Sequence, residues 1–453
     1  MTMEKYNDLL DEIIIALDKK DKVKLKELFD ELHDYDKAQF LMDLTPEQRE
    51  MFKHFSDEEL ADILEELEYE DQKVLIDELG LKRTAEILEE MSSDDAADLL
   101  GELEEEEKQK IFKLMDDQEE IDIRKLMQYD EDSAGGIMTD EFITIPDTYT
   151  ADDTLKKLRS LAPDAETAYY LYVTDEIGVL KGVLSLRELI IAEPQTKVVD
   201  IMFERVVSVP VDMDQEEVAE IMEKYNFLAL PVVKDEKVVG IITIDDVIDV
   251  LQEEASEDIY KMGGISGTDT ELRDVSTSAF KSAKKRIPWL AGLLLVGVLA
   301  GNIIGQFEET LEAVAILAIF IPMIADMAGN TGTQSLAVVV RGLTLGEYKG
   351  KEVLRVVRRE AGAGVIIGLV NGVLVSIIAT FWQGSPMLGV VIGLSLSITL
   401  FVATLAGTII PLIMDRINID PAIASGPFIT TVNDIIGLTI YFSIATYFME
   451  HLI

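Results

Sequence analysis

Two apolar stretches near the C-terminal end carry groups that hydrocarbon rejects. Residues 424–437 read ASGPFITTVNDIIG, with Asn433 and Asp434 inside an otherwise apolar run, and residues 320–335 read FIPMIADMAGNTGTQS. The second stretch brings Asp326, Asn330, Thr331, Thr333 and Gln334 to membrane depth, with Pro322, Gly329 and Gly332 loosening it. A carboxylate at the centre of a bilayer costs at least about 2.5 kcal/mol, so its default reading is an ion pathway, the alternative being a hydrogen-bonded pair buried between helices. Asp326 lies closer than Asp434 to a membrane surface. Irregular backbone at that depth is tolerated only in a protein interior or beside a water-filled cavity, and a break is expected at the glycines.

A second constellation is acidic. From Asp245 to Asp258 the chain carries seven carboxylates (Asp245, Asp246, Asp249, Glu253, Glu254, Glu257 and Asp258) and no Lys or Arg. Spacings of three and four put Asp246, Asp249, Glu253/Glu254 and Glu257 on one helical face. Such a face is either simply solvated or held together by bound cations. A third group has the form [ST]-x-x-[DE] at a strand-to-helix junction. It occurs as Ser185–Glu188, with Arg187 inside it, and as Thr243–Asp246; among the nearby aromatic side chains, core packing is the better account of Phe227 taken alone.

The elements that must position these groups are legible in the pattern. Five apolar segments near 287–307, 311–341, 360–382, 386–414 and 421–450 are each close to the ~20 residues that cross a bilayer. Pro288 and Pro421 are placed at first helical turns, Pro421 behind the cap Asp420. Basic residues orient the spans: Lys281, Lys284, Lys285 and Arg286 precede the first, Arg341 to Arg359 separate the second and third, and Arg416 separates the fourth and fifth. The alternate loops FEETLE and WQGSP have no Lys or Arg, so the N-terminus is expected inside and the C-terminus outside. The polar start MTMEKYNDLLDE reads as no cleaved leader, which leaves the soluble half in the cytoplasm.

Residues 49–115 repeat every 12 residues: REMFKHF, ADILEEL, KVLIDEL, AEILEEM, ADLLGEL and QKIFKLM. Each unit has one apolar helical stripe and a cap before it, which predicts short helices stacked in a superhelix. Residues 132–258 repeat a longer unit: GIMT (136–139) recurs as DIMF (200–203), and GVLSLRELI (182–190) as GIITIDDVI (240–248). Strand pairs around charged turns accompany both copies, and each copy needs the other to bury its sheet.

The chain has 453 residues and a net charge of −46, all of it in residues 1–280, which hold 29 basic and 75 acidic side chains. That sign excludes nucleic acid as a partner. Absence of Cys excludes disulfides and thiolate metal sites. The three histidines are scattered, and no P-loop, HExxH or G-x-S-x-G element is present, so no enzyme is expected.

At residues 132–258 the chain resembles a tandem CBS pair, and the segments PMIADMAGNTGTQS and ASGPFITTVND resemble the pore motifs of the MgtE family of Mg²⁺ channels. The order of parts is similar over nearly the whole length. The resemblance implies a multidomain membrane protein: an all-α superhelical domain (1–131), an α/β CBS pair (132–199 and 200–258), a long connecting helix (259–286) and an all-α pore domain of five transmembrane helices (287–453). It implies a homodimer in the plasma membrane with the pore on the two-fold axis, where two Asp434 carboxylates face one Mg²⁺. Oxygens of Asp326, Gly329, Asn330 and Gln334 complete the expected pore set. Mg²⁺ keeps several waters when bound by one or two carboxylates, and conduction needs an ion able to leave, so outer-sphere contacts are expected. The resemblance further assigns Asp214, Glu216, Asp246, Asp249, Glu254, Glu257 and Asp258 to Mg²⁺ sensing, with Glu59 and Asp95 as candidates that N-capping explains nearly as well. Asn226 replaces an expected carboxylate. CBS pairs also bind adenine nucleotides; Tyr170, Ser185, Arg187, Glu188 and Phe227 are the candidates for ATP, with Glu188 standing where an Asp is usual. A secondary transporter of Mg²⁺, Co²⁺ or Mn²⁺ coupled to Na⁺ or H⁺ would use the same pore residues and stays open at this point, whereas Asp434 at membrane depth argues against a membrane-anchored scaffold without transport.

Overall fold

The computed structural model describes residues 3–162, 165–265, 278–348 and 350–452. The chain divides into two compact units, Met1–Leu251 and Gln252–Ile453. The first opens with α1 (Met3–Asp18), α2 (Lys22–Phe29), α3 (Asp34–Met42), α4 (Pro46–Arg49) and a 3₁₀ turn at Phe52–His54. Then come α5 (Asp57–Glu65), α6 (Tyr69–Leu79), α7 (Leu81–Leu88), α8 (Ser93–Glu102), α9 (Glu105–Phe112) and α10 (Asp117–Leu126). From α5 onward each helix starts 12 residues after the last, as the repeat predicts. Ser56 and Asp116 cap α5 and α10 through their side chains, and Gly80, at φ +83°, lets α6 turn directly into α7. Paired apolar positions such as Ile63/Leu64, Ile87/Leu88, Leu99/Leu100 and Ile111/Phe112 are buried in one continuous core. Each is worth ~1.5–3 kcal/mol relative to exposure. The unit at 49–55 departs from the repeat. It splits into α4 and the 3₁₀ turn, because Phe52 and Phe55 turn onto Phe29 with ring centroids 4.8 and 5.5 Å away.

Two equivalent α/β halves follow. The first holds β1 (Thr144–Pro146), α11 (Ala151–Leu161), β2 (Tyr170–Thr174), β3 (Leu180–Ser185), α12 (Leu186–Ile191) and α13 (Val198–Ile201). The second holds β4 (Val209–Pro210), α14 (Gln215–Tyr225), β5 (Ala229–Lys234), β6 (Lys237–Thr243) and α15 (Ile244–Met262). In each sheet a parallel strand pair is followed by an antiparallel one. The halves exchange edges: Thr139 bridges to Ile241, and Phe203 to Val183. Matching glycines allow it. A Cβ on Gly240 would fall 2.6 Å from Met138 Sδ, and one on Gly182 2.5 Å from Met202 Sδ. That mutual completion is what the tandem repeat implied.

In the second unit, the end of α15 precedes α16 (Ala279–Gln306), α17 (Glu308–Ala313), a 3₁₀ segment (Ala315–Phe320), α18 (Ile321–Thr344), α19 (Lys351–Gln383), α20 (Pro386–Arg416), α21 (Gly426–Tyr447) and α22 (Met449–Leu452). Among the described residues, α16, the 3₁₀ segment with α18, α19, α20 and α21 give five helices long and apolar enough to cross a membrane. Three expectations change. Pro288 lies inside α16, since the helix begins at the Ser278 cap and carries Lys281–Arg286 on its first turns. The connecting helix expected over 259–286 divides between the end of α15 and the start of α16, with residues 266–277 outside the described ones. And α18 is unbroken from Ile321 to Thr344, with Pro322 in its first turn; its glycines serve close contact instead of a break. Small residues pack α19 on α20 in the same way: a Cβ on Gly372 would lie 1.9 Å from Ser397 Oγ, and that hydroxyl donates to the Gly368 carbonyl at 2.9 Å.

Candidate ion pathway and sensor carboxylates

In α18, spacing by four places Asp326, Asn330 and Gln334 on one exposed face that continues to Arg341. Ala328, Gly329, Thr331, Gly332, Ser335 and Leu336 are buried on the other. Lipid cannot cover the polar face, so it borders water or a second chain. From α21 comes Asp434, half-buried, with one carboxylate oxygen buried and unpartnered and Asp326 close enough to act on its charge. The five predicted pore residues therefore separate. Asp434 and Asp326 converge, Asn330 and Gln334 share the Asp326 face, and Gly329 is a packing residue whose missing Cβ makes room for Thr430 Cγ2 at 2.7 Å. Because α18 is continuous, its carbonyls serve the helix ladder; the Gly329 carbonyl also accepts from Thr333 Oγ1 at 2.9 Å. The side-chain oxygens that this face of α18 exposes are thus the Asn330 and Gln334 amides and the Asp326 carboxylate. No residue of α16 is buried in the single chain.

The sensor candidates fall into separate places. Asp95 and Asp246 belong to one group in the first unit, joined by Asp94, Asp98, Glu141 and Glu166, which the sequence reading missed. Asp94, Asp95 and Asp98 share one face of α8 by their spacing; Glu141 and Glu166 arrive from loops of the first CBS half, and no local pattern announces them. Burial comes first in raising Asp94, Asp95 and Asp246 to about 6, Glu141 and Glu166 to about 7, and Asp98 to about 8, and the neighbouring acids add to it. Hydrogen bonds oppose part of this: Ser92 Oγ donates to Asp95 at 2.5 Å and Thr243 Oγ1 to Asp246 at 2.5 Å. Asp249, raised by burial and by Asp245, acts in turn on Glu66. Glu59 stands apart. It completes the Ser56 capping box and pairs with Lys26 at 2.8 Å, which lowers its pKa against the cost of burial. Asp214 caps α14 by accepting from Glu216 N at 2.9 Å, and Asn226 ends α14 in the left-handed region that an amide side chain tolerates. Among the described residues, no three acids or histidines converge as a preformed metal site.

Glu257 and Asp258 lie in the second unit. Lys261 Nζ binds Glu257 at 2.6 Å and Asp420 at 2.7 Å. Thr344 Oγ1, at the end of α18, donates to Asp258 at 3.0 Å. Met262 packs against Leu336, Val340, Ala422, Ala424 and Ile429. The last turn of α15 is thereby fastened to the end of α18 and to the loop leading into α21, where Asp420 also accepts from Ala422 N at 2.8 Å.

Of the nucleotide candidates, Tyr170 and Ser185 are direct partners across β2 and β3. Ser185 and Glu188 form a capping box, Ser185 Oγ donating to Glu188 at 2.9 Å, and Arg187 is exposed beside them. Phe227 stacks on Tyr225 with centroids 5.3 Å apart, in the other half.

Known proteins resemble the chain along its length. The MgtE family model, described as a divalent cation transporter, matches residues 321–444; that of the MgtE intracellular N domain matches 32–132, and that of the CBS domain 134–194 and 198–253. The magnesium transporter MgtE of Bacillus subtilis is 44% identical over 99% of both chains, and that of Enterococcus faecalis 44% identical over 95% of both. A crystal structure of the cytosolic domain of the Mg²⁺ channel MgtE in complex with ATP superposes with TM-score 0.51 at 41% identity, covering 53% of this chain and 99% of that one.

Proposed function

This chain belongs to the MgtE family, and from that premise we propose that it is a homodimeric Mg²⁺ channel of the plasma membrane, closed by Mg²⁺ on its acidic cytoplasmic portion. The observation that carries the reading is the unpartnered Asp434 carboxylate oxygen in the fifth apolar span, within range of the charge of Asp326. A buried charge without a partner is retained where an ion supplies the partner. Mg²⁺ with its waters offers outward-pointing donors, which suits Asp434, Asp326, Asn330 and Gln334 as outer-sphere acceptors. A second copy covering the polar face of α18 would bring two Asp434 side chains to one ion. Asp434→Ala is expected to abolish Mg²⁺ uptake by reconstituted vesicles while membrane insertion persists. Wild-type uptake by the assembled variant would place the pathway elsewhere.

For gating, the acids around Asp95 and Asp246 repel one another unless protonated or neutralised by a cation, and Mg²⁺ lowers that repulsion in the arrangement that gathers them. Asp214, Glu216, Asp249, Glu254, Glu257 and Asp258 extend the same charge along α14 and α15. The N-terminal and CBS parts are then cytoplasmic, as in the cytosolic domain structure cited, and the C-terminus is outside. ATP is proposed at Tyr170, Ser185, Arg187 and Glu188, by analogy with the ATP complex of that relative. Coupled transport of Mg²⁺, Co²⁺ or Mn²⁺ remains the second reading, because the same carboxylates serve it; discrete single-channel currents independent of Na⁺ and H⁺ gradients decide for the channel.

A further inference from the structure

Next to Asp434 in the fifth span is a polar side chain that was given no part in the pore set. Asn433 is 1% exposed. Its Nδ2 donates across to the Ala328 carbonyl of α18 at 3.4 Å. The amide oxygen, Oδ1, is buried with no partner in the protein. Space for the amide exists only because residue 332 has no side chain: a Cβ there would fall 1.9 Å from Asn433 Nδ2 and 2.9 Å from Ile429 Cγ2. The third helix closes on the same point, since a Cβ on Gly407 of α20 would lie 2.2 Å from the Gly332 carbonyl oxygen. An amide that has to be desolvated, and whose oxygen stays unpaired, is costly filler; an apolar residue of that size would fill the gap without the penalty.

We infer that Asn433 is a positioning residue for permeation: it ties α21 to α18 at Gly332, which sets where Asp434 stands relative to Asp326, Asn330 and Gln334. The inference rests on the reading of Asp434 as a pore carboxylate. A hydrated divalent ion held through its waters tolerates little error in acceptor spacing, because ions of different radius present their waters at different distances. The tie therefore acts on selectivity as well as rate.

The test is made on the full chain in vesicles, with Mg²⁺, Mn²⁺ and Ca²⁺ fluxes measured separately. Asn433→Ala and, from the other helix, Gly332→Ala are each expected to lower Mg²⁺ flux about tenfold, the scale seen when groups that orient metal ligands are removed. Both are expected to shift the Mg²⁺/Ca²⁺ flux ratio. Mg²⁺-induced protease protection of the soluble part should not move. The double variant should be no worse than the worse single one, because both changes break one contact. If Asn433→Ala fails to assemble, Asn433→Ser and Gly332→Ala carry the test by the same criteria. Assembled variants with unchanged flux ratio overturn the inference, whether or not total flux falls. Asp434→Ala is measured alongside. If it is silent, the pore reading itself fails; if it abolishes flux while the Asn433 and Gly332 variants keep the wild-type ratio, only the present inference fails.

Discussion

Asp98 shows how a single carboxylate reports its surroundings. Its pKa is pushed up to about 8, first by burial and then by Asp95, Asp94, Glu131 and Asp246. A folded pKa above the unfolded value of ~3.9 means that the folded state binds the extra proton. The group then costs nothing at pH 3–4, and its cost grows as pH rises toward 8. Asp98→Asn should therefore raise the thermal midpoint of the Mg²⁺-free protein at pH 8, but only slightly, because Asp98 is exposed by surface area and water screens its charge. Near pH 4 the variant should show no advantage. An equal gain at both pH values would mean that charge is not the cause. Glu59 is the contrast: a capping box and Lys26 account for its position, so Glu59→Gln should weaken α5 while leaving the Mg²⁺ response of the neighbouring acids unchanged, read as protease protection across a Mg²⁺ titration.

At the scale of elements, the last turn of α15 is the part to test. Lys261 stands between Glu257 and Asp420, and its pKa is raised because the hydrogen bonds and charges of those two acids outweigh its burial. Asp258 is raised by burial and by Asp420, against the hydrogen bond from Thr344. Lys261→Met would leave three carboxylates facing one another, a cost that a divalent cation can offset and a monovalent one at equal ionic strength offsets less. The drop in thermal midpoint of the detergent-solubilised protein should thus be larger in a chelator than in millimolar Mg²⁺. Equal drops would reduce Lys261 to ordinary packing. The α19–α20 contact makes a separate prediction. Gly372→Ala adds a Cβ at 1.9 Å from Ser397 Oγ and 2.6 Å from the Gly393 carbonyl, an overpacking expected to cost ~1–3 kcal/mol. Pairing it with Ser397→Gly should recover only part, since the backbone contact remains.

For the whole molecule, the group around Asp95 and Asp246 links proton and Mg²⁺ binding. Asp94, Asp95, Asp246, Glu141, Glu166 and Asp98 titrate between about 6 and 8 in the folded arrangement. Bound protons and bound Mg²⁺ relieve the same repulsion and compete for the same oxygens. Apparent Mg²⁺ affinity for closing should therefore rise from pH 6 to pH 8, while Mg²⁺-free protein should resist protease better at pH 6 than at pH 8. Patch-clamp dose–response curves and limited proteolysis at the two pH values check both statements. A Mg²⁺ response independent of pH would remove this group from gating.

The periodic elements were readable without a fold. Twelve-residue spacing set the starts of α5 to α10, duplicated strand-to-helix segments set the two CBS halves, and apolar length set the five spans, because each is a local property of hydrophobic period and capping. Asp434 was also legible, since a carboxylate in an apolar run is conspicuous in one dimension. Asp95 and Asp246 could be named as acids but not as neighbours. What joined them to Glu141 and Glu166 was the folding of α8 against loops far away in the chain, and burial there, not composition, moved their titration. Gly329 and Gly332 were misread as a break because a glycine's freedom and a glycine's smallness look the same in sequence. Only the approach of Thr430 and Asn433 from α21 shows that smallness is in use. Lys261 and Asp420, separated by nearly 160 residues, became a pair for the same reason: contacts between distant segments are decided by packing, and period carries no record of them.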